Sequence, residues 1–291
     1  MTGAIFQCLV LIVVVAVSLA AFWRWSERAS AGQTTAERSA PRAATIDQPN
    51  EFNEKPAEST LAPDDPLAIE VVKAIQTGDL TTLKRLLAEH RGLAAAMIGT
   101  RTLLHIATDW PGHFPNGAAT VVALIAAGAD VNALGTGQRP ETPLHWVASS
   151  DDIDVLNLLI EAGADIEAPG FSGTALADAV AFGQWQAAHR LVELGARSTL
   201  WQAAALGLMD RVEQYFEGER PPSPDDVTNA FWCSCGGGQR PSAEYLLERG
   251  ADLNWIGHNG LTPLDTARRS KADEVVEWLR LRGAKSADEL S

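Results

Sequence analysis

Apolar residues recur along this chain in short runs at helical spacing, and the runs come in pairs separated by polar breaks. Residues 141–168, ETPLHWVASSDDIDVLNLLIEAGADIEA, set the pattern. A turn-type Thr142-Pro143 opens a short apolar helix over 144–148, and residues 149–152 interrupt it. A second helix carries Ile153, Val155, Leu156, Leu158, Leu159 and Ile160, and Gly163 ends it. Helices this short cannot bury their apolar faces alone, so the unit must stack on copies of itself.

Copies are present. Leu144 and Gly163 stand as far apart as Leu176 and Gly195, and as Leu264 and Gly283. Upstream, TLLHIA over 102–107 leads to AAGADVNA over 126–133 across a longer span. A TPLH element coupled in register to a Gly-Ala-Asp turn resembles the ankyrin-repeat family, over roughly residues 66–286. The resemblance implies an all-α ankyrin-repeat solenoid of about seven units. In that family the TPLH histidine bonds backbone of the turn, which implies structural roles for His105 and His145. Asp130, Asp165 and, by similarity, Asp252 belong to the Gly-Ala-Asp turn, where short acidic side chains accept backbone amides.

Several units depart from the pattern. The first, residues 66–97, lacks the TPLH element, as an end repeat with one wet face can. In the second, DWPGHFPNG over 109–117 replaces the short inter-helix turn and adds about five residues. Pro111 and Pro115 forbid regular helix there. A loop holding Trp110, His113 and Phe114 is either a rigid plug against neighbouring units or an exposed recognition patch. The fourth unit has Ala177, and the seventh Asp265, at the histidine position. The fifth lacks its Gly-Ala-Asp turn, and the sixth has a Gly-rich break, CSCGGGQRP, over 233–241.

Residues 4–23 are uncharged and apolar, long enough at 1.5 Å per residue for a hydrocarbon core of about 30 Å. Trp23, Trp25, Arg24 and Arg28 follow as interfacial anchors, and predict a single transmembrane helix with the repeats on the cytoplasmic side. A cleaved signal peptide is the rival, disfavoured by an uncharged start and by the lack of a clean small-residue site. Residues 26–60 are polar and aperiodic, which predicts a flexible linker.

Charge then narrows the partners. A net charge of −14 without a basic stripe argues against nucleic acid. Three cysteines make no disulfide framework. Cys233 and Cys235, joined by His258 or His113, would fall short of a structural zinc set, for there is no second cysteine pair. His105, Asp109 and His113 would share a helix face, but Pro111 breaks it. No G-x-S-x-G or phosphate loop occurs. No cofactor and no catalytic residue is expected.

What remains is a surface. Trp146, Trp185, Trp201, Trp232 and Trp255 recur at differing repeat positions, as packing or as interface. Trp110, His113, Phe114, Trp146 and Trp185 are the candidate protein-binding residues. The expected function is a membrane-tethered, monomeric, non-enzymatic scaffold that binds a protein partner and is held to the membrane through residues 4–23. The alternative is an enzyme or metal-dependent accessory protein using the loops at 109–117 and 233–241. A third reading is a structural protein with no dedicated partner.

Overall fold

Asp-Pro, Thr-Pro and Ser-Pro steps begin four of the described helices, because proline at the first helical position gives up an amide that would have no partner. The computed structural model describes residues 60–137 and 140–291. Among them, seven antiparallel helix pairs follow one another. The first four pairs are α1 (Pro66–Thr77) with α2 (Leu80–Glu89), α3 (Leu103–Ala107) with α4 (Gly117–Ala126), α5 (Pro143–Ala148) with α6 (Ile153–Glu161), and α7 (Ala175–Phe182) with α8 (Trp185–Glu193). The last three are α9 (Leu200–Ala205) with α10 (Met209–Glu217), α11 (Pro224–Gly236) with α12 (Arg240–Glu248), and α13 (Pro263–Arg269) with α14 (Asp273–Leu281). A single turn, α15 (Ala287–Leu290), closes the described chain.

Local chemistry explains the starts. Thr102, Thr142, Thr199 and Thr262 sit extended just before their helices and form reciprocal capping boxes with the residue three positions on. Second helices α2 and α6 are capped by Asp79 and Asp152, whose carboxylates accept the amides of Thr82 and Val155. Three two-residue strands stand at the start of the stack. β1 (Thr60–Leu61) pairs parallel to β2 (Met97–Ile98), which pairs antiparallel to β3 (Arg101–Thr102). The fold is an all-α solenoid with this small sheet at one end.

The interior is continuous along the stack but divides into two clusters. One runs from Ala68 to Ala196 and takes in Ala205 and Leu206; the other runs from Leu200 to Ala284. The α9 helix feeds both, and its alanines let α11 lie close (Ala203, Ala204 and Ala205 are all buried). A Cβ on Gly237 would stand 2.0 Å from the Ala205 carbonyl oxygen.

Two expectations are corrected here. The membrane span placed over 4–23 lies outside the described residues, as does the linker of 26–60 apart from Thr60, which pairs in β1. Among the described residues, no helix is long and apolar enough to cross a membrane. The longest, α11, has 13 residues and reaches only about 20 Å, because each helix of a stacked pair spans one layer of the solenoid and no more. The single-pass anchor, its orientation and membrane attachment as a partner are therefore withdrawn. The second correction concerns 233–241. Residues 233–236 are helical, and the turn to α12 is short. Burial decides this: Phe231, Ser234 and Cys235 are fully enclosed, and Ser234 Oγ donates to the Phe231 carbonyl. That packing outweighs the low helix propensity of Gly236.

Candidate partner-binding groove

The turns that join one unit to the next are built first. His105 is buried, and its Nδ1 lies 2.8 Å from Thr102 Oγ1 and accepts the Thr102 amide. Its Nε2 then carries the proton and donates to the Glu141 carbonyl of the following unit at 2.9 Å. His145 repeats the arrangement, with Thr142 on Nδ1 and the Gly173 carbonyl 3.2 Å from Nε2. Burial pulls the His105 pKa down to about 4 and lowers that of His145, so both rings are neutral near pH 7. Each links its own cap to the next unit.

Asp130, Asp165 and Asp252 each accept the amide two residues on, at 2.9 Å. The residue that bridges units is the one donating that amide. Asn132 takes the Asp165 amide and donates to the Gly163 carbonyl, Glu167 takes the Arg197 amide, and Asn254 takes the Lys285 amide. Sequence reading singled out the aspartates and passed over Asn132, Glu167 and Asn254. Their shared offset from the Asp was the available signal.

Loop 109–117 is held by hydrogen bonds to its neighbours and exposes Trp110 and His113. His113 donates its amide to Asp152 Oδ2 at 3.0 Å, and Asn116 Nδ2 donates to the Gly78 carbonyl at 2.9 Å. Gly78 and Gly112 are left-handed, and a Cβ on either would strike Pro115 or Ser150 within 2.7 Å. The loop is thus wedged between the first and third units. Trp110 is 55% exposed, His113 is exposed and Phe114 is half-buried. Trp146 lies elsewhere, edge-on to His105 at 5.1 Å, with its Nε1 donating to Glu141 at 3.1 Å. Trp185 lies at a third place, so the five candidates do not converge.

Trp185 borders a groove of about 410 Å³ that crosses units four to seven. Its walls are Phe182, Trp201 and Trp232, with Asn229, His258 and Arg269 among the polar lining. The first helices supply most of these side chains, and α11 reaches the groove because it continues through Cys233 to Gly236. His258 stands edge-on to both Trp232 (5.4 Å) and Trp255 (5.7 Å). Its Nε2 lies 3.1 Å from Asn229 Oδ1, and burial holds its pKa down to about 4. Trp232 Nε1 donates to the Leu261 carbonyl at 2.9 Å. Burial pushes the Cys233 thiol up to about 12, so the groove holds no reactive thiolate near pH 7. Trp201, Trp232 and His258 were not singled out as a site because only stacking brings residues from four units together.

The metal-dependent alternative is overturned on the same geometry. Among the described residues, no three His, Cys, Asp or Glu side chains converge in a way that could hold a metal ion. Cys233 and Cys235 are two positions apart on a helix and point to different sides, one largely covered at the groove wall and one in the core.

The family model for ankyrin repeats (three copies) matches residues 114–199. The ankyrin repeat and KH domain-containing protein mask-1 of Caenorhabditis elegans is 29% identical over 143 residues, covering 47% of this chain and 4% of that protein. The putative palmitoyltransferase ZDHHC13 of Danio rerio is 26% identical over 233 residues, covering 75% of this chain and 35% of that protein. The chain thus spans about a third or less of the length of these curated relatives. The crystal structure of the human ASB11 ankyrin repeat domain shares 22% identity, with a TM-score of 0.47 over 74% of this chain and 97% of that one. The repeat fold rests on the helix pairs themselves and on the family match.

Proposed function

We propose that this protein is a non-enzymatic scaffold that binds an extended segment of a protein partner along the aromatic groove of units four to seven. One observation carries the reading. Trp185, Trp201 and Trp232 line a concave opening rather than the closed interior, and an opening that size holds side chains, not a globular domain. Tryptophan in a partly enclosed pocket is the residue type most enriched among binding hot spots. The buried titratable groups support a binding role over a catalytic one. His105 and His145 are committed to backbone partners, and Cys235 is sealed in the core.

Photo-crosslinking tests this. A photoreactive residue replacing Trp201 in the full chain should trap partner polypeptide, whereas one replacing Tyr215 on α10 should not. Equal trapping at both positions would remove the groove from the account.

A further inference from the structure

The fifth unit leaves α10 without a Gly-Ala-Asp turn, and the chain runs instead through EGERPPSPDD over 217–226. After the second, third and sixth units the connection is tied to the next unit by Asn132, Glu167 and Asn254. Here Gly218, Glu219, Arg220, Pro221 and Pro222 make no hydrogen bond or ion pair with any described residue. Residues 217–226 are exposed, apart from the half-buried Pro222.

Local sterics set the backbone of this stretch. Pro221 and Pro222 hold φ at about −65° and have no amide to lend to a helix or sheet. Arg220, Pro221 and Ser223 each precede a proline, which disfavours helical backbone and pushes them to extended or polyproline II geometry. Both ends of the stretch adopt it: Gly218 has φ −71° and ψ 164°, and Ser223 has φ −66° and ψ 158°. With three residues per turn, Pro221 and Pro224 fall on one face. The start of α11 needs only Ser223 and Pro224, for Ser223 Oγ closes the cap by donating to Asp226 Oδ2 at 2.7 Å. Pro221 and Pro222 are therefore surplus to the stack.

We infer that residues 218–224 are a second docking surface, which presents a polyproline II ridge to a partner domain whose groove is lined by aromatic side chains. Such grooves accept this geometry because the ligand is already extended and loses little chain entropy on binding. Anchorage at α10 and α11 holds both ends of the ridge and adds to that preorganisation. The surface is independent of the groove of units four to seven, which none of these residues lines. Tyr215 is turned from the ridge, with its hydroxyl donating to the Ser198 carbonyl beside the fourth unit.

The test titrates isotope-labelled WW and SH3 domains, whose grooves are of this aromatic kind, with the full chain. At least one is expected to bind, with NMR shifts confined to its groove. Replacing both prolines (Pro221→Ala with Pro222→Ala) should weaken that binding about tenfold or more. Pro241→Ala, at an exposed proline in α12, should leave it unchanged. Neither change touches the core, so both proteins should keep the parent circular dichroism. A synthetic peptide of residues 217–226 should displace the chain from the domain. Binding by neither domain would overturn the assignment, as would binding that survives the double substitution or shifts that lie outside the aromatic groove. Crosslinking at Trp201 is indifferent to all of these outcomes, so the two surfaces fail separately.

Discussion

The two halves of the stack solve the same problem differently. In the first, two units place a histidine three positions after the capping threonine, and it also reaches the next unit: His105 to the Glu141 carbonyl, His145 to the Gly173 carbonyl. In the second, that position is Gln202 or Asp265, and its oxygen closes the cap of its own helix. Asp265 goes further only by accepting the Ala287 amide at 2.8 Å. Inter-unit cohesion there adds edge-on rings to the Trp232–Leu261 and Asn254–Lys285 bonds, with Phe231 against Trp278 at 6.5 Å and the two indoles around His258. A ring with one acceptor and one donor can cap and bridge at once. A short carboxylate has no donor to give the next carbonyl, so the second half draws more on edge-on rings, and some of those rings also face the groove.

The largest expected effect breaks the aromatic half alone. Phe231 is among the largest fully buried side chains, so Phe231→Ala should cost about 3–5 kcal/mol. Because each unit touches only its neighbours, hydrogen-exchange protection should fall over residues 200–284 and persist over 66–196. Uniform loss would show that the two clusters form one cooperative block.

Next comes the junction of the third and fourth units. Asp178 is 3% exposed, Ser172 Oγ donates to its Oδ1 at 2.5 Å, and its Oδ2 has no partner among the described residues. Burial, then the nearby Glu141 charge, pushes its pKa up to about 8. The folded state therefore holds a proton that the unfolded state releases from about pH 4 upward, and stability falls as pH rises from there through about 8. The loss should reach a few kcal/mol by pH 9, following about 1.4 kcal/mol per unit. Urea midpoints measured at pH 6.5 and pH 8, above the window in which the buried histidines act, should differ in the parent and converge in Asp178→Asn. Midpoints that stay apart in that variant would clear Asp178 of the effect.

The histidine staple should matter more than the carboxylate cap. His105→Ala loses a buried bond to the next unit and should cost about 2 kcal/mol, against about 1 kcal/mol for Asp265→Ala. Equal costs by chemical denaturation would erase the distinction drawn between the halves. The parent should also weaken as pH falls from 6.5 toward 4, since over that range the unfolded chain binds a proton that the buried His105 ring does not.

The smallest effect compares two turns. Lys271 and Asp151 both hold left-handed backbone where other units use glycine. Lys271→Gly should stabilise by about 0.5–1 kcal/mol by relieving that conformation. Asp151→Gly should gain nothing, because Asp151 Oδ1 also accepts the Ala187 amide at 2.6 Å. A matching gain at both sites would mean that this bond contributes nothing.

Much of the architecture could be read from residue order because it is set locally. The apolar spacing of Val155, Leu156 and Leu159, the cap at Thr142-Pro143 and the stop at Gly163 each act within one turn of chain. They fix where helices begin, end and face, and short faces must find neighbours. Other features were out of reach of that reading. CSCG looks like a turn until Phe231 and Cys235 are seen enclosed by neighbouring units. Strands of two residues are too short to show alternation. Asn132, Glu167 and Asn254 look like ordinary turn residues until the next amide arrives beside them. Residue order thus determined the repeating unit, while tertiary stacking alone decided which side chains meet. The groove joins Phe182, Trp201, Trp232 and Arg269 from four successive units, and no local rule relates residues so far apart until the helices are packed.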